Sequence, residues 1–360
     1  MDQSPKPSLR PERPERPERP ERLARPAHPA ADPRSVALGM LVLYLVWGST
    51  YLAISVAVDT IPPFLMAGAR FLLAGAALLA WTVVRGGREF VPPTRREWRD
   101  SAIVGALLLG GGMGSVAWGE QTIPSGIAAL LVALMPVWVA VFGGIFLGER
   151  LPRMAVAGII VGFVGVAILV GPTALGSSGA LDPAGVVALI IAPIAWSLGS
   201  LVASHRAVLP RRPLVNTGAQ MVTGGGVLMA MALVTGEFGR FTPAAVSSES
   251  LAAFAYLSII GSLLAFTAYG WLLRVAPLPL IATYAYVNPV IAVILGSVIL
   301  REAIEPRTLV AGAVIVAAVA LIVTARSRMA GPRDARRAVS PPPPPSARPV
   351  GPVPSSSASD

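Results

Sequence analysis

Cysteine is absent from the 360 residues, and the chain has one lysine, Lys6, and two histidines, His28 and His205. The absence of cysteine excludes disulfides, thiol chemistry and cysteine-ligated metal sites. No segment follows the GxxxxGK[ST] pattern that holds nucleotide phosphates. We therefore expect no metal, no cofactor and no ATPase domain in this chain.

Charged residues are also scarce. They make up 13% of the chain, against about 25% in an ordinary soluble domain, while 54% is hydrophobic and the mean hydropathy is +0.67. Too few polar groups are present to cover a globular surface in water. The composition predicts a polytopic membrane protein whose partner is the lipid bilayer.

The net charge of +10 invites comparison with nucleic-acid-binding proteins, which cluster basic residues on a folded surface. Here 14 of the 29 basic residues lie in two tails, eight in residues 1–34 and six in residues 326–360. The first tail repeats Pro-Glu-Arg from Pro11 to Arg22, and the second contains a five-proline run. Such segments are typical of disorder. We expect two solvated tethers, or alternatively ligands for a partner domain, and no nucleic-acid partner.

Between the tails, apolar runs are separated by proline, glycine and charge. A helix needs about 20 apolar residues to cross a bilayer. Ten such spans are predicted: 36–57, 62–84, 101–118, 125–147, 154–171, 183–204, 214–235, 251–273, 277–299 and 308–325. The short connections leave no room for a soluble catalytic domain, and no cluster of carboxylates or histidines lies within the spans. An enzyme is therefore not expected.

The loop arginines predict the orientation. With the N-terminus inside, the inner loops carry eleven arginines and the outer loops three. Cytoplasmic loops are enriched in basic residues, so both termini are predicted to be cytoplasmic in a plasma-membrane protein. A signal peptide is the competing interpretation of the N-terminus, but the first span is longer than a 7–15-residue signal core and lacks a convincing cleavage site.

The two halves of this region are related in sequence. Residues 117–149 align with residues 270–302 without a gap, and eight of the 33 positions are identical. The identical pairs include Trp118/Trp271, Pro124/Pro277, Pro136/Pro289 and Glu149/Glu302. Each copy contains five spans, so the second enters the membrane from the opposite side. The sequence predicts an all-α membrane protein with ten transmembrane helices in two inverted-topology five-helix repeats, residues 35–172 and 173–325, a plan that recurs in transporters.

Several short motifs extend this assignment. They are Val46-Trp47-Gly48-Ser49-Thr50-Tyr51, Ala69-Arg70-Phe71, Pro124-Ser125-Gly126, Tyr286-Val287-Asn288-Pro289 and Gly148-Glu149-Arg150. Together they resemble the drug/metabolite transporter superfamily, specifically its ten-helix EamA-type exporters. The resemblance covers about residues 36–325. It implies a central cavity lined mostly by spans 1, 3, 4, 6, 8 and 9, and export of small metabolites or toxic compounds.

Candidate site residues follow from chemistry within the spans. Aromatic and polar side chains on spans 1, 6 and 9 are the cavity candidates: Trp47, Ser49, Tyr51, Trp196, Tyr284, Tyr286 and Asn288. Pro136 and Pro289 occupy equivalent mid-span positions, where each removes a backbone hydrogen bond and is expected to kink its helix. They are the hinge candidates.

Arg70 is the one basic residue within a span, where burial costs about 2.5–3.5 kcal/mol. Glu120 is the carboxylate closest to a span interior, at a similar depth. We expect an Arg70–Glu120 ion pair that helps to close the extracellular gate. The alternatives are a structural Arg70 that caps carbonyls or extends outward to the membrane surface, and a Glu120 that is a solvated loop residue.

These observations favour a secondary transporter that exports small organic solutes by alternating access. An uptake carrier or exchanger with the same fold is the alternative. A scaffold that recruits partners through its proline-rich tails is a third hypothesis. The four-helix relatives exchange protons through a glutamate in their first helix, and span 1 has no carboxylate. The coupling ion and the oligomeric state therefore stay open.

Overall fold

The computed structural model describes residues 32–87, 90–149, 151–171, 181–276, 278–281 and 283–329. The predicted tails lie almost wholly outside these ranges. The described segments form ten helical spans: α1 Pro33–Val58, α2 Pro63–Gly86, α3 Arg95–Gly119, α4 Ser125–Leu147, α5 Arg153–Val170, α6 Pro183–His205, α7 Pro213–Val234, α8 248–275, α9 278–299 and α10 Pro306–Met329. Span α4 consists of two segments, Ser125–Val132 and Met135–Leu147, and α9 of Leu278–Ile281 and Tyr284–Ile299.

Several helices begin before the apolar run that predicted them. Helix α3 starts at Arg95 rather than at residue 101 because Thr94 and Glu97 form a capping box. Helix α1 starts at Pro33, where the Asp32 side chain accepts a hydrogen bond from Arg34 N at 3.3 Å. Hydropathy marks the part of a helix that crosses hydrocarbon, whereas caps set where the helix itself begins.

The helices have the dimensions and the surface of a multi-pass membrane protein. Within the described residues, nine helices are long and apolar enough to cross a bilayer, and the break in α9 leaves a shorter apolar helix, Tyr284–Ile299. Large apolar side chains such as Leu45, Ile160 and Leu309 are more than half exposed. Because so many apolar side chains point outward, the surface suits lipid rather than water.

Helices of the two repeats pack against each other in a pseudo-two-fold pattern. Helix α1 packs on α8 and α9 of the second repeat, and its counterpart α6 packs on α3 and α4 of the first. At the periphery α2 packs along α7, and α5 along α10. Each major interface therefore joins helices from different repeats. We call the membrane side at which odd-numbered helices end the glutamate face, since Glu120, Glu237 and Glu302 lie there.

The third helix of each repeat contains an eight-residue π-helical segment, Ala106–Met113 in α3 and Leu257–Leu264 in α8. Such segments are rare and frequently occur at functional sites. Aligned by the repeat, the two segments overlap with a shift of two residues, a structural trace of the duplication that residue identities alone did not reveal.

The equivalent helices α4 and α9, in contrast, break at different points. Helix α4 is interrupted at Ala133 and Leu134, so Pro136 falls in the first turn of a new helical segment, where proline needs no hydrogen-bond partner. The break in α9 lies before Tyr284, and Pro289 sits inside a continuous helical segment. The two hinge candidates are therefore equivalent in sequence but not in conformation.

Glycines allow the closest approach between helices. A Cβ added at Gly105 of α3 would lie 2.6 Å from the carbonyl oxygen of Gln220 and 2.9 Å from the nitrogen of Gly224, both in α7. Small residues bring transmembrane helices together in this way. Gly226 on the same helix is exposed, and an added Cβ there would meet nothing within 4 Å.

We expect Gly105→Ala to destabilise the protein by about 1–3 kcal/mol, because the added methyl group collides with backbone atoms that cannot rotate away. The matched control Gly226→Ala should be neutral or stabilising by up to about 1 kcal/mol, as alanine favours helix over glycine. Thermal unfolding of the two purified variants in the same detergent measures the difference. Equal melting temperatures would contradict the packing described for α3 and α7.

Candidate functional site

A cavity lies between the two repeats. It contains about 820 Å³ of space free of protein atoms, its open mouth included, and helices α1, α2, α3, α4, α6, α8 and α9 line it. Aromatic and apolar side chains form most of the wall. The lining residues with the most distinctive chemistry are Trp47, Thr50, Tyr51, Arg70, Trp196, Phe266, Tyr284 and Asn288. An apolar pocket with a few convergent polar groups is the usual form of a small-molecule site.

On α1 the wall follows one helical stripe. Trp47, Thr50, Tyr51 and Ile54 are spaced as i, i+3, i+4 and i+7 and all line the cavity. The candidate Ser49 points elsewhere: its hydroxyl bonds to the Tyr256 hydroxyl at 2.6 Å and donates to Val46 O at 2.9 Å. Helical phase would have found Thr50 and Ile54 and excluded Ser49.

On α9 helical phase likewise separates the candidates that line the cavity from the one that does not. Tyr284, Ala285 and Asn288 face the cavity, whereas Tyr286 is outside the lining set. Asn288 is 7% exposed, and its Oδ1 atom has no hydrogen-bond partner among the described residues. A buried acceptor without a partner costs free energy. The residue lines the cavity, but the Oδ1 atom itself is fully buried in this conformation.

Trp47 is the centre of an aromatic cluster. Its ring centroid lies 5.5 Å from that of Phe266, 5.2 Å from that of Tyr269 and 4.9 Å from that of Tyr284. The contacts to Phe266 and Tyr284 are edge-to-face, a favoured geometry for aromatic pairs. The cluster joins α1 to α8 and α9, so one cavity wall is built from both repeats.

Arg70 also lines the cavity, on α2, which was not among the helices expected to contribute most of the wall. Its Nε donates to Ser262 Oγ at 2.9 Å, in the π-helical segment of α8. Its guanidinium carbon lies 4.5 Å from the centre of the Phe71 ring. The side chain is 2% exposed. A buried arginine is thus held at the edge of the cavity by a hydroxyl and a ring.

The expected Arg70–Glu120 ion pair is not formed. No nitrogen of Arg70 lies within 4 Å of a Glu120 oxygen, and the Arg70 Nε instead donates to Ser262. Glu120 is not a solvated loop residue either: it is 4% exposed, and neither carboxylate oxygen has a hydrogen-bond partner among the described residues. The two residues are neighbours without direct contact, and the pairing prediction was wrong for this conformation.

Two other glutamates on the same face are well satisfied. Glu237 accepts from Phe64 N at 3.3 Å and Leu65 N at 2.8 Å, at the start of α2. Glu302 accepts from Ser125 N at 2.8 Å, Ser125 Oγ at 2.7 Å and Gly126 N at 3.2 Å, at the start of α4. Both carboxylates occupy the positive end of a helix dipole. The second repeat therefore caps two helices of the first.

Asp182 makes a third contact of this kind. It accepts from Gly185 N at 2.9 Å, which caps its own helix α6, and from the Thr122 hydroxyl at 3.0 Å in the loop after α3. The hydrogen bonds from Gly185 and Thr122 hold the pKa of the Asp182 carboxyl below its ordinary value. No three histidine or acidic side chains in the described part of the chain come together as a metal site.

Comparison with known proteins decides the family. The sequence model of the EamA-like transporter family matches residues 34–171 and 183–324, which correspond to the two repeats. The chain belongs to the EamA-like transporter family. As a member of that family it is a membrane transporter, and the sequence-based assignment to the drug/metabolite transporter superfamily is confirmed.

Individual relatives of this EamA-type chain agree. It is 37% identical over 286 residues to the uncharacterized inner membrane transporter YedA of Escherichia coli (strain K12), an alignment that covers 79% of this chain and 89% of YedA. It is 28% identical over 281 residues to protein PecM of Dickeya dadantii (strain 3937), an alignment that covers 77% of this chain and 88% of PecM. A solved crystal structure is 24% identical in sequence and superposes with a TM-score of 0.56. The match covers 83% of this chain and 99% of the solved chain, which supports the fold.

Neutralising Glu120 and Glu237 of this EamA-type transporter should change its stability in opposite directions. Glu120→Gln is expected to raise the melting temperature, because it removes a buried carboxylate that forms no ion pair within 4 Å. Glu237→Gln should lower stability by about 1.5–3 kcal/mol, since a neutral amide accepts backbone hydrogen bonds less strongly than a carboxylate. Thermal unfolding in detergent at neutral pH measures both. A loss of stability in Glu120→Gln comparable to that in Glu237→Gln would refute the assignment of Glu120 as unsatisfied.

Proposed function

We propose that this transporter is a secondary exporter of small organic solutes that works by alternating access across the plasma membrane. The observation that carries the proposal is the cavity, whose wall draws on seven helices from both inverted repeats. A site between inverted repeats can be exposed to either side by rocking one repeat against the other. An uptake carrier or exchanger of small metabolites remains the alternative.

The glutamate face is assigned to the outside in this proposal. Its loops hold three of the arginines and the opposite loops eleven, and basic loops stay in the cytoplasm. Both termini are then cytoplasmic. Between the cavity and the glutamate face, the first-repeat helices present buried residues, among them Val58, Met66, Ala117 and Ala128. This conformation is therefore interpreted as closed to the outside.

The Glu302 cap on α4 is the proposed outer latch. It joins the connection after α9 to the first turn of α4, so it crosses from one repeat to the other. Outward opening requires the repeats to separate at this face, which would break three hydrogen bonds to one carboxylate. The cap is thus expected to favour the closed state without touching the cavity.

Transport itself is tested by reconstitution into liposomes. Purified protein is assayed with amino acids, organic acids and cationic dyes, with and without an imposed pH gradient. We expect saturable, protein-dependent flux of one solute class, and the effect of the gradient reports on coupling. The matched control is Asn288→Leu, which replaces an amide side chain among the lining residues and should lose most of the flux while staying folded. Failure of every solute class to exceed protein-free liposomes would count against the proposal.

The latch is tested by accessibility. Because the natural chain has no cysteine, Ala129→Cys places a unique thiol in the cavity wall, at a residue that is 0% exposed. A membrane-impermeant maleimide applied from outside should label this thiol several-fold faster when Glu302→Gln is added. The control is Glu305→Gln, which removes a mostly exposed carboxylate that pairs with Arg307 at 3.3 Å. Unchanged labelling in a folded Glu302→Gln protein would remove the latch from the mechanism.

A further inference from the structure

Arg70 is the one charged residue in the cavity wall as far as the chain is described. The other lining residues are apolar, aromatic or neutral polar. No carboxylate of a described residue lies within 4 Å of its guanidinium. The cavity therefore contains a positive charge that the protein itself does not pair directly.

The Arg70 guanidinium is held in place, but not all of its hydrogen-bond donors have partners among the described residues. Its hydrogen bond to a described residue uses Nε, which donates to Ser262 Oγ at 2.9 Å, and its stacking partner is the Phe71 ring. The two terminal amino groups have no hydrogen bond to a described residue, and neither is among the fully buried, unpartnered atoms. They therefore keep some accessible surface, and Arg70 is a lining residue of the cavity. Two parallel N–H groups in this fork match the two oxygens of a carboxylate.

The other lining residues indicate what kind of solute body carries that carboxylate. Trp47, Trp196, Phe266 and Tyr284 provide flat apolar surface. Thr50 has its hydroxyl committed to Trp47 O at 2.7 Å, so it adds little polarity. The geometry points to organic monoanions, with one carboxylate on an aromatic or branched apolar body, as the substrate class of this cavity. This inference rests on the proposed function, because it names the solute of the same site.

The positive charge of Arg70 also disfavours other classes of solute in the cavity. The Glu120 carboxylate lies beside Arg70 but is not among the lining residues, so a cationic solute in the cavity would meet the guanidinium first. In surroundings of low dielectric, these like charges repel strongly. A phosphate monoester carries nearly two negative charges at neutral pH, and one arginine would leave part of that charge unpaired in an apolar pocket. A single carboxylate is the group whose charge one guanidinium balances.

Three small probes of nearly equal size test the inference: phenylacetate, the neutral phenylacetamide and the cationic phenethylamine. Their dissociation constants are measured by calorimetry on the full chain in lipid nanodiscs. We expect phenylacetate to bind at least ~10-fold more tightly than either of the others, the scale of a charge-assisted hydrogen-bond pair. Arg70→Lys should keep the preference for the anion at reduced affinity, and Arg70→Gln should abolish it. Arg85→Gln, at an exposed arginine stacked on Trp81 of the same helix, should change nothing.

Equal binding of the three probes to the natural protein, no detectable binding of phenylacetate, or an anion preference that survives Arg70→Gln would overturn the inference. The comparison of the three probes on the natural protein tests the inference even if Arg70→Gln fails to fold. Liposome flux separates this outcome from failure of the proposed function. Transport that ignores solute charge contradicts the role of Arg70 alone, whereas binding without any flux contradicts the transporter mechanism.

Discussion

A polar group inside a bilayer has to find its partner within the protein, because hydrocarbon offers none. Most of this structure obeys that constraint. Within each helical segment most backbone groups bond to one another, and hydroxyls such as those of Thr50 and Ser200 bond to carbonyl oxygens on their own helices. Where helices begin at the glutamate face, Glu237 and Glu302 supply acceptors from the other repeat. Satisfying the helix ends therefore also ties the two repeats together.

Several exceptions to this constraint lie in or beside the cavity wall. Arg70 and Asn288 both line the cavity, and the terminal amino groups of Arg70 and the buried Oδ1 atom of Asn288 make no hydrogen bond to a described residue. Glu120, whose carboxylate oxygens also lack a hydrogen bond to a described residue, lies beside Arg70. Polar groups left unsatisfied in an otherwise satisfied membrane protein are costly, and they mark sites where a solute or proton can supply what the fold does not. The cavity is thus distinguished by chemistry as well as by shape.

The pseudo-symmetry of the repeats is retained in some elements and lost in others. Helices α3 and α8 share a π-helical segment at overlapping positions, which belongs to both copies of the fold. Helices α4 and α9 break at different points although Pro136 and Pro289 are equivalent in sequence. In the proposed mechanism, exchanging the conformations of the two repeats would expose the opposite side. The difference between α4 and α9 is one that such an exchange would invert.

The sequence by itself determined the fold class, because hydropathy over about 20 residues depends on the bilayer and not on neighbouring helices. It also determined the family, and it placed Trp47, Tyr51, Trp196, Tyr284 and Asn288 on helices that do line the cavity. Which side of a helix faces the cavity was accessible from the 3.6-residue period, although Ser49 and Tyr286 were assigned without it. Only the tertiary structure decided that Arg70 bonds to Ser262 rather than to Glu120, and that Glu302 caps Ser125. These partners are 192 and 177 residues apart in the chain, and no local pattern fixes the distance between atoms on helices from opposite repeats.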